Sequence, residues 1–321
     1  MSPEVFAALI ADAALSPNVH NIQPTIWRQI DATTVAAAQA PRRTLPVGDP
    51  TGRDVEASHG AAVEGFILAA SLRGVEMRVT APEGSEIARL IVTGEVDPDP
   101  LASFLTARRT YRGRFLPDRA VPILDTLAQA APDLTILRER PDIDHVAHLN
   151  DQASLKSFRD ARFRAELLAW MRLSRRHPSW AVDGLNARAM EMSGLEAAGA
   201  GVVLKPGMFE FLDRLGLAGA LTGEAAVVQS SAAIALFRRP IGETSFETGR
   251  RWHRVWLEMT RLGLSAAPMT VLADDRAAAE ALAARFGQPP GTKLVTAFRL
   301  GLVPESALPP PARRPVSDLI F

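Results

Sequence analysis

Apolar residues recur at helical spacing near the start of the chain, where Val5, Phe6, Leu9, Ile10 and Ala13 share one face of a helix expected over 3–14. A polar, Asn-containing loop interrupts the pattern, and a short strand is expected around residues 26–30. Residues 41–53 form a Pro/Gly/Arg loop. A second helix is predicted over roughly 55–73, stopped by Gly74 as a C-cap, with strands near 76–80 and 87–93.

The plan returns later in the chain. A helix from about Gly249 to Leu262 carries Trp252, Val255, Trp256, Met259 and Leu262 on one stripe and ends at Gly263. Gly60 to Gly74 and Gly249 to Gly263 share a separation of 14 residues, and Arg89–Gly94 has an echo in Ala297–Gly301. A helix over 123–131 and a strand over 134–137 mirror the first helix and strand. These correspondences predict two diverged helix–strand–helix–strand repeats, 1–106 and 107–321. The second repeat holds an excess at about 145–240 with helical patterning: Phe158–Leu173, a turn at His177–Pro178, Ala187–Met192, a Gly-rich break at Ala198–Gly201, and Met208–Leu217. An insertion of this size is expected to be a lid, a cover or an oligomerisation arm. Met190, Met192, Met208, Phe209 and Phe211 are expected either on the underside of such a cover or in the insertion's own core.

Composition removes several chemistries. Thirty-six basic residues balance 36 acidic ones, so no global field favours nucleic acid or an anionic membrane. The absence of cysteine excludes disulfides, thiolate metal sites and thiol catalysis. No apolar run reaches the roughly 18 residues of a membrane span, and the first residues lack the pattern of a signal peptide, so a cytoplasmic protein is expected. No dinucleotide-binding glycine motif follows a strand, and Gly287–Lys293 places its lysine and prolines wrongly for a P-loop. His20, His59, His148 and His253 are scattered and are expected to be structural.

Three segments carry candidate chemistry. Ser16-Pro17-Asn18-Val19-His20-Asn21-Ile22-Gln23-Pro24 presents groups that hydrogen-bond more readily than they ionise, suited to holding a planar, amide-rich heterocycle. Arg108-Arg109-Thr110-Tyr111-Arg112-Gly113-Arg114, ahead of a helix expected to open at Pro117–Asp118, fits a phosphate site or, equally, a solvated basic loop. Arg313-Arg314-Pro315 follows the Pro-rich stretch 308–311, in a tail expected to lie extended over another surface.

Together with Asp49-Pro50-Thr51-Gly52-Arg53-Asp54 and Ser58-His59-Gly60-Ala61-Ala62, this ordered set resembles the nitroreductase superfamily, specifically its double-length Acg-like branch. The resemblance implies an α+β, nitroreductase-like fold in which the two repeats form an intrachain pseudo-dimer with a helical lid insertion, as a monomer or weak homodimer, with flavin mononucleotide (FMN) between the halves. By motif position, Arg108, Thr110 and Arg112 would hold the FMN phosphate, helped by Arg313 or Arg314. Pro17, Asn18, Asn21 and Gln23 would reach the ring and ribityl chain, with Pro268, Met269 and Thr270 under or beside the isoalloxazine. The arginine cluster precedes only the second repeat and the Asn-x-Gln-Pro loop follows only the first repeat's helix, so one FMN per chain is expected. Asn18 and Val19 stand where the family prefers serines, Thr25 where it has Trp, and Thr270 where Glu is common. The implied function is an FMN-dependent oxidoreductase, with NAD(P)H as a possible donor and a nitroaromatic, quinone or similar planar acceptor. The alternative is an FMN-sequestering protein whose flavin the insertion covers. No catalytic side chain, metal, nucleic-acid partner or membrane partner is expected.

Overall fold

The computed structural model describes residues 1–117, 121–304 and 308–321. Asp118, at the expected helix opening, lies outside the described residues. Helix α1 (Pro3–Ala13) begins where Ser2 accepts a hydrogen bond from the Val5 amide, and it buries Phe6, Leu9, Ile10 and Ala13. The chain then passes through a 3-10 turn at Val19–Asn21 into β1 (Thr25–Gln29) and β2 (Thr34–Gln39). Helix α2 (Arg53–Ser71) is capped by the Asp49 carboxylate, which accepts from the amides of Asp54 (2.9 Å) and Val55 (2.8 Å). Gly74, at φ 73°, makes the left-handed exit that a side chain would strain. Strands β3 (Val75–Thr80) and β4 (Glu86–Glu95) complete an antiparallel sheet of order β1-β2-β4-β3.

Helix α3 (Val121–Ala130) and β5 (Leu134–Leu137) open the second part. A helical excursion follows, with α4 (Arg140–Arg159), α5 (Ala161–Trp170), the paired short strands β6 (Met171–Arg172) and β7 (Leu185–Asn186), then α6 (Gly194–Val203), α7 (Met208–Arg214), α8 (Ala218–Thr222) and α9 (Ala225–Val228). The chain returns through β8 (Ala233–Pro240), α10 (Ser245–Arg261), β9 (Ser265–Met269), α11 (Val271–Asp274), α12 (Arg276–Phe286) and β10 (Thr292–Gly301). The second sheet, β5-β8-β10-β9, is also antiparallel and repeats the strand order of the first.

The α+β class expected from the sequence is the one observed. The interior of the expected insertion differs. Its helical character ends at Val228, because Ala233–Pro240 is a strand of the second sheet, buried over its first six positions. The helix expected over 158–173 is broken at Asp160, whose side chain caps α5. Residues 187–192 form turns, and the expected Gly-rich break lies inside α6, where a reciprocal Ser193–Glu196 capping box offsets the weak helix preference of glycine.

One core packs α1 and α2 on the first sheet; two others cover the faces of the second sheet with α3 and α10, and with α4 and α12. Helices α2 and α10 cross where two glycines meet. A Cβ on Gly60 would overlap the Phe246 carbonyl, and one on Gly249 would overlap the Ala57 carbonyl. Each glycine therefore faces the carbonyl three residues before the other. Glu64 on α2 pairs with both Arg250 and Arg254 of α10 at 2.9 Å, fixing the crossing further. The tail runs back to the first half and bridges Ile320 to Trp27 on β1. Among the described residues no helix is long and apolar enough to cross a membrane.

Candidate functional site

The loop after α1 has an unusual backbone. His20, Asn21 and Gln23 all take positive φ (44°, 54° and 51°), a region disfavoured for residues with a Cβ. Hydrogen bonds hold it there. Asn18 accepts from the Gln23 amide (2.9 Å), and the Val19 amide donates to Ser58 Oγ (3.0 Å). The Asn21 amide group donates to the carbonyls of Gly184 and Ala312, both at 3.1 Å. Gln23 donates to the Val182 carbonyl (2.8 Å) and accepts from the Arg314 amide (2.9 Å). The loop is thus laced to the helical excursion on one side and to the tail on the other.

Beside the loop lies an open cavity of about 640 Å³, lined by residues of both sheets' surroundings and of the tail. Pro17, Asn18 and Asn21 line it from the loop, Arg108, Thr110 and Arg112 from the segment before α3, Pro268, Met269 and Thr270 from the end of β9, and Arg313 from the tail. Of the residues singled out in the sequence, Gln23 and Arg314 are not on its wall. Gln23 is buried with its amide spent on backbone groups, and Arg314 is ion-paired with Asp183 and Asp318. Both fasten the wall rather than form it.

Arg108 is the central charged group. It is 3% exposed and stacks on Trp256 with its guanidinium carbon 4.7 Å from the ring centroid. Among the described residues only Nη2 has a partner, the Leu15 carbonyl at 2.7 Å, while Nε and Nη1 are buried without one. Burial and the neighbouring Arg313 and Arg109 push its pKa well down from the usual arginine value. Arg313 donates to the Ala14 carbonyl (2.5 Å) and to Asn21 Oδ1 (3.0 Å), and burial with the nearby Arg109 lowers it to about 10. Arg109 donates to the carbonyls of Thr106 (2.7 Å) and Arg108 (2.8 Å). None of the three has a carboxylate within ion-pairing distance among the described residues. Three like charges so placed, with two unmade donors, suit an anion and oppose an empty pocket.

Arg112 stands apart from this triad. Its charged neighbours are Glu224 and Arg299, and its one hydrogen bond among the described residues is a long one to the Ala189 carbonyl (3.4 Å). His20 shares its corner; burial and the Arg112 charge lower the imidazole to about 4, so the ring is neutral at pH 7.

The excursion contributes Phe158, Phe163, Leu167 and Met190 to the cavity wall. Of the five residues expected under a cover, Met190 alone lines the cavity. Phe209 is core, stacked on Phe158 and under Arg164, whereas Met208 and Phe211 are exposed. The excursion is tied to the rest of the chain by Glu166, which accepts from the amides of Val47 (3.0 Å) and Gly48 (2.7 Å), and by Asp183, which pairs with Arg172 and Arg314. A polar end of the cavity carries Arg53 paired with Asp54 and Asp274; burial raises the Asp274 carboxyl to about 6. Arg109, His20, Trp252 and Trp256 line the cavity without having been assigned there from the sequence. The tryptophans showed only as a buried helical stripe, and His20 and Arg109 only as members of candidate segments, with no role of their own.

No protein-family model matches the chain, and no curated protein matches it. Solved structures similar to it include a nitroreductase with bound FMN from Bacteroides fragilis NCTC 9343, at 13% identity over 66% of this chain and 92% of that one, TM-score 0.37. The FMN-dependent nitroreductase NfnB from Mycobacterium smegmatis in complex with NADPH is similar at 16% identity over 66% and 93% of the two chains, TM-score 0.39.

Proposed function

We propose that this chain binds FMN in the cavity between its halves and acts as a nitroreductase-like oxidoreductase. The supporting observation is Arg108, a buried guanidinium with two unmade donors beside two further arginines that have no carboxylate partner among the described residues. A phosphate monoester supplies the missing acceptors and charge. On this reading Arg108, Arg109 and Arg313 hold the phosphate. Pro17, Asn18, Thr110, Met269 and Thr270 shape the space for the ring and ribityl chain, and the apolar cover excludes water. Bound FMN would supply the redox chemistry, taking a hydride from a reduced nicotinamide and passing electrons to a planar acceptor. Asn21 and Gln23 act by holding the loop, since their side chains are committed to the excursion and the tail.

The same reading takes the chain as two diverged copies fused into one pseudo-dimer, divided near residue 106. It is supported by the shared strand order of the two sheets and the reciprocal contacts of Gly60 and Gly249.

The fastened cover favours a second reading, sequestration without turnover, because Glu166 and Asp183 hold it over the cavity. Absorbance of purified protein, followed by anaerobic mixing with NADPH, separates the two. Rapid bleaching of bound flavin supports the oxidoreductase; reduction by dithionite alone supports sequestration. Protein that neither carries nor takes up FMN refutes both.

A further inference from the structure

Besides Arg53 and Lys293, the cations on the cavity wall form two groups of different charge, and His20 lines the wall with Arg112. Arg108, Arg109 and Arg313 act on one another, whereas Arg112 is coupled to Glu224, Arg299 and His20. Arg299 spends its guanidinium on the carbonyls of Gly113 (2.8 Å) and Tyr111 (3.2 Å). Two guanidiniums against one carboxylate leave the second corner with a single positive charge, where the triad has three. A dianionic phosphate matches the triad; a monoanion matches the corner.

His20 gives that corner its geometry. Its ring makes no hydrogen bond among the described residues, and Nδ1 is buried without a partner. Its backbone sits at φ 44°, a strained conformation that Asn18, Asn21 and Gln23 pin from both sides. A strained, rigidly held side chain with unused hydrogen-bonding capacity on a cavity wall is placed for a ligand rather than for the fold. The Arg112 guanidinium beside it is likewise underused.

We propose that His20 and Arg112 form a second subsite, separate from the arginine triad, which takes the carboxylate of a small aromatic electron acceptor. Arg112 supplies the charge and the neutral imidazole one N–H donor, so His20 is a specificity-determining residue. The assignment of this ligand as an electron acceptor rests on the FMN reading above; the subsite itself does not.

The test compares 4-nitrobenzoate with the neutral 4-nitrobenzyl alcohol, by calorimetric titration of the protein as purified and of protein saturated with FMN. The unsubstituted protein should bind the carboxylate about 10-fold or more tighter, the worth of one charge-assisted hydrogen bond. Arg112→Gln should abolish that preference. His20→Asn, which keeps a residue tolerated at positive φ, should weaken the carboxylate several-fold and leave the alcohol unchanged. Equal binding of the two compounds by the unsubstituted protein overturns the subsite, as does an equal loss of both in either variant. Failure to take up FMN with the preference intact refutes the flavin reading alone.

Discussion

Arg108 makes opposite contributions to the two states of the protein, and that opposition can be measured. Without a ligand it has one hydrogen bond among the described residues, to Leu15, and a cation–π contact with Trp256, together worth about 2–5 kcal/mol. Against this stand two buried, unmade donors at about 1–3 kcal/mol each, plus repulsion from Arg109 and Arg313. The balance is unfavourable by roughly 1–2 kcal/mol. Arg108→Met keeps the apolar stem, and Arg313 still donates to the Leu15 carbonyl at 3.2 Å. The variant should therefore melt roughly 1–3 °C higher than the parent when both are free of flavin. FMN affinity should fall by about 1.5–3 kcal/mol, or roughly 10- to 150-fold, since the lost bonds are charge-assisted. Calorimetric melting of flavin-stripped protein, with and without FMN, reads both effects, and a fluorescence titration gives the dissociation constant. A flavin-free variant less stable than the parent, with unchanged FMN affinity, would show that Arg108 is an ordinary structural arginine.

Gly60→Ala or Gly249→Ala should each destabilise by about 3 kcal/mol in urea unfolding, because the added methyl meets backbone that cannot turn aside. Gly199→Ala, inside α6 with open space around it, should instead gain about 0.5–1 kcal/mol. Among the described residues Asp183→Asn leaves Arg172 without a carboxylate partner and Arg314 with Asp318 alone, a loss of about 3–5 kcal/mol for the buried Arg172 pair. Faster release of bound flavin and new proteolytic cleavage near residues 181–186 should follow; unchanged release would mean the cover is held elsewhere. The buried histidines set the acid response. His20, His59 and His253 are held near 4, 4 and 3, mainly by desolvation, and the unfolded chain protonates them below about 6.5. Their folded pKa values are depressed, so their stability is fully present above pH 6.5 and is lost as pH falls toward 4, at up to about 1.4 kcal/mol per pH unit for each. Asp274, raised to about 6, opposes one of them over part of that window. Removing one histidine, as in His253→Gln, should reduce the slope measured by urea unfolding from pH 5 to 6.5; an unchanged slope would mean this ring titrates normally.

The parts legible in the sequence were those whose periodicity survives on one face. Helix α10, with its tryptophan stripe, and β5 lie where the pattern puts them. Strand β2 was unread because its buried run, Val35 to Ala38, is mostly alanine and has no alternation. Strand β8 is buried on both faces, which removes the period of two and lets it pass for part of a helical region. Helix α4 carries mostly polar residues and buries only a few small side chains and Asn150 beside Ile143 and Val146. At the site, short motifs identified which segments meet. They could not distinguish Asn21 and Gln23, spent on the chain's own carbonyls, from Arg108, which has donors to spare. That distinction depends on partners more than 150 residues away.

The asymmetry between the halves bears on how many flavins the chain would carry. Taking Gly60 and Gly249 as equivalent, the counterpart of the loop after α1 is the turn after α3, at Asp133. There the positive charges are already answered. Asp133 pairs with Arg239 (2.5 Å) and with Arg251, and Arg239 pairs again with Glu243 (2.6 Å). A phosphate entering that position would have to displace carboxylates that are closely bound, whereas the triad around Arg108 has no carboxylate to displace. The difference is one of charge balance, not space, so it holds even if the second position can open. Titration to saturation should therefore give one FMN per chain. A stoichiometry of two would mean that the Asp133 network yields to phosphate, and that partnered and unpartnered arginines are equivalent here.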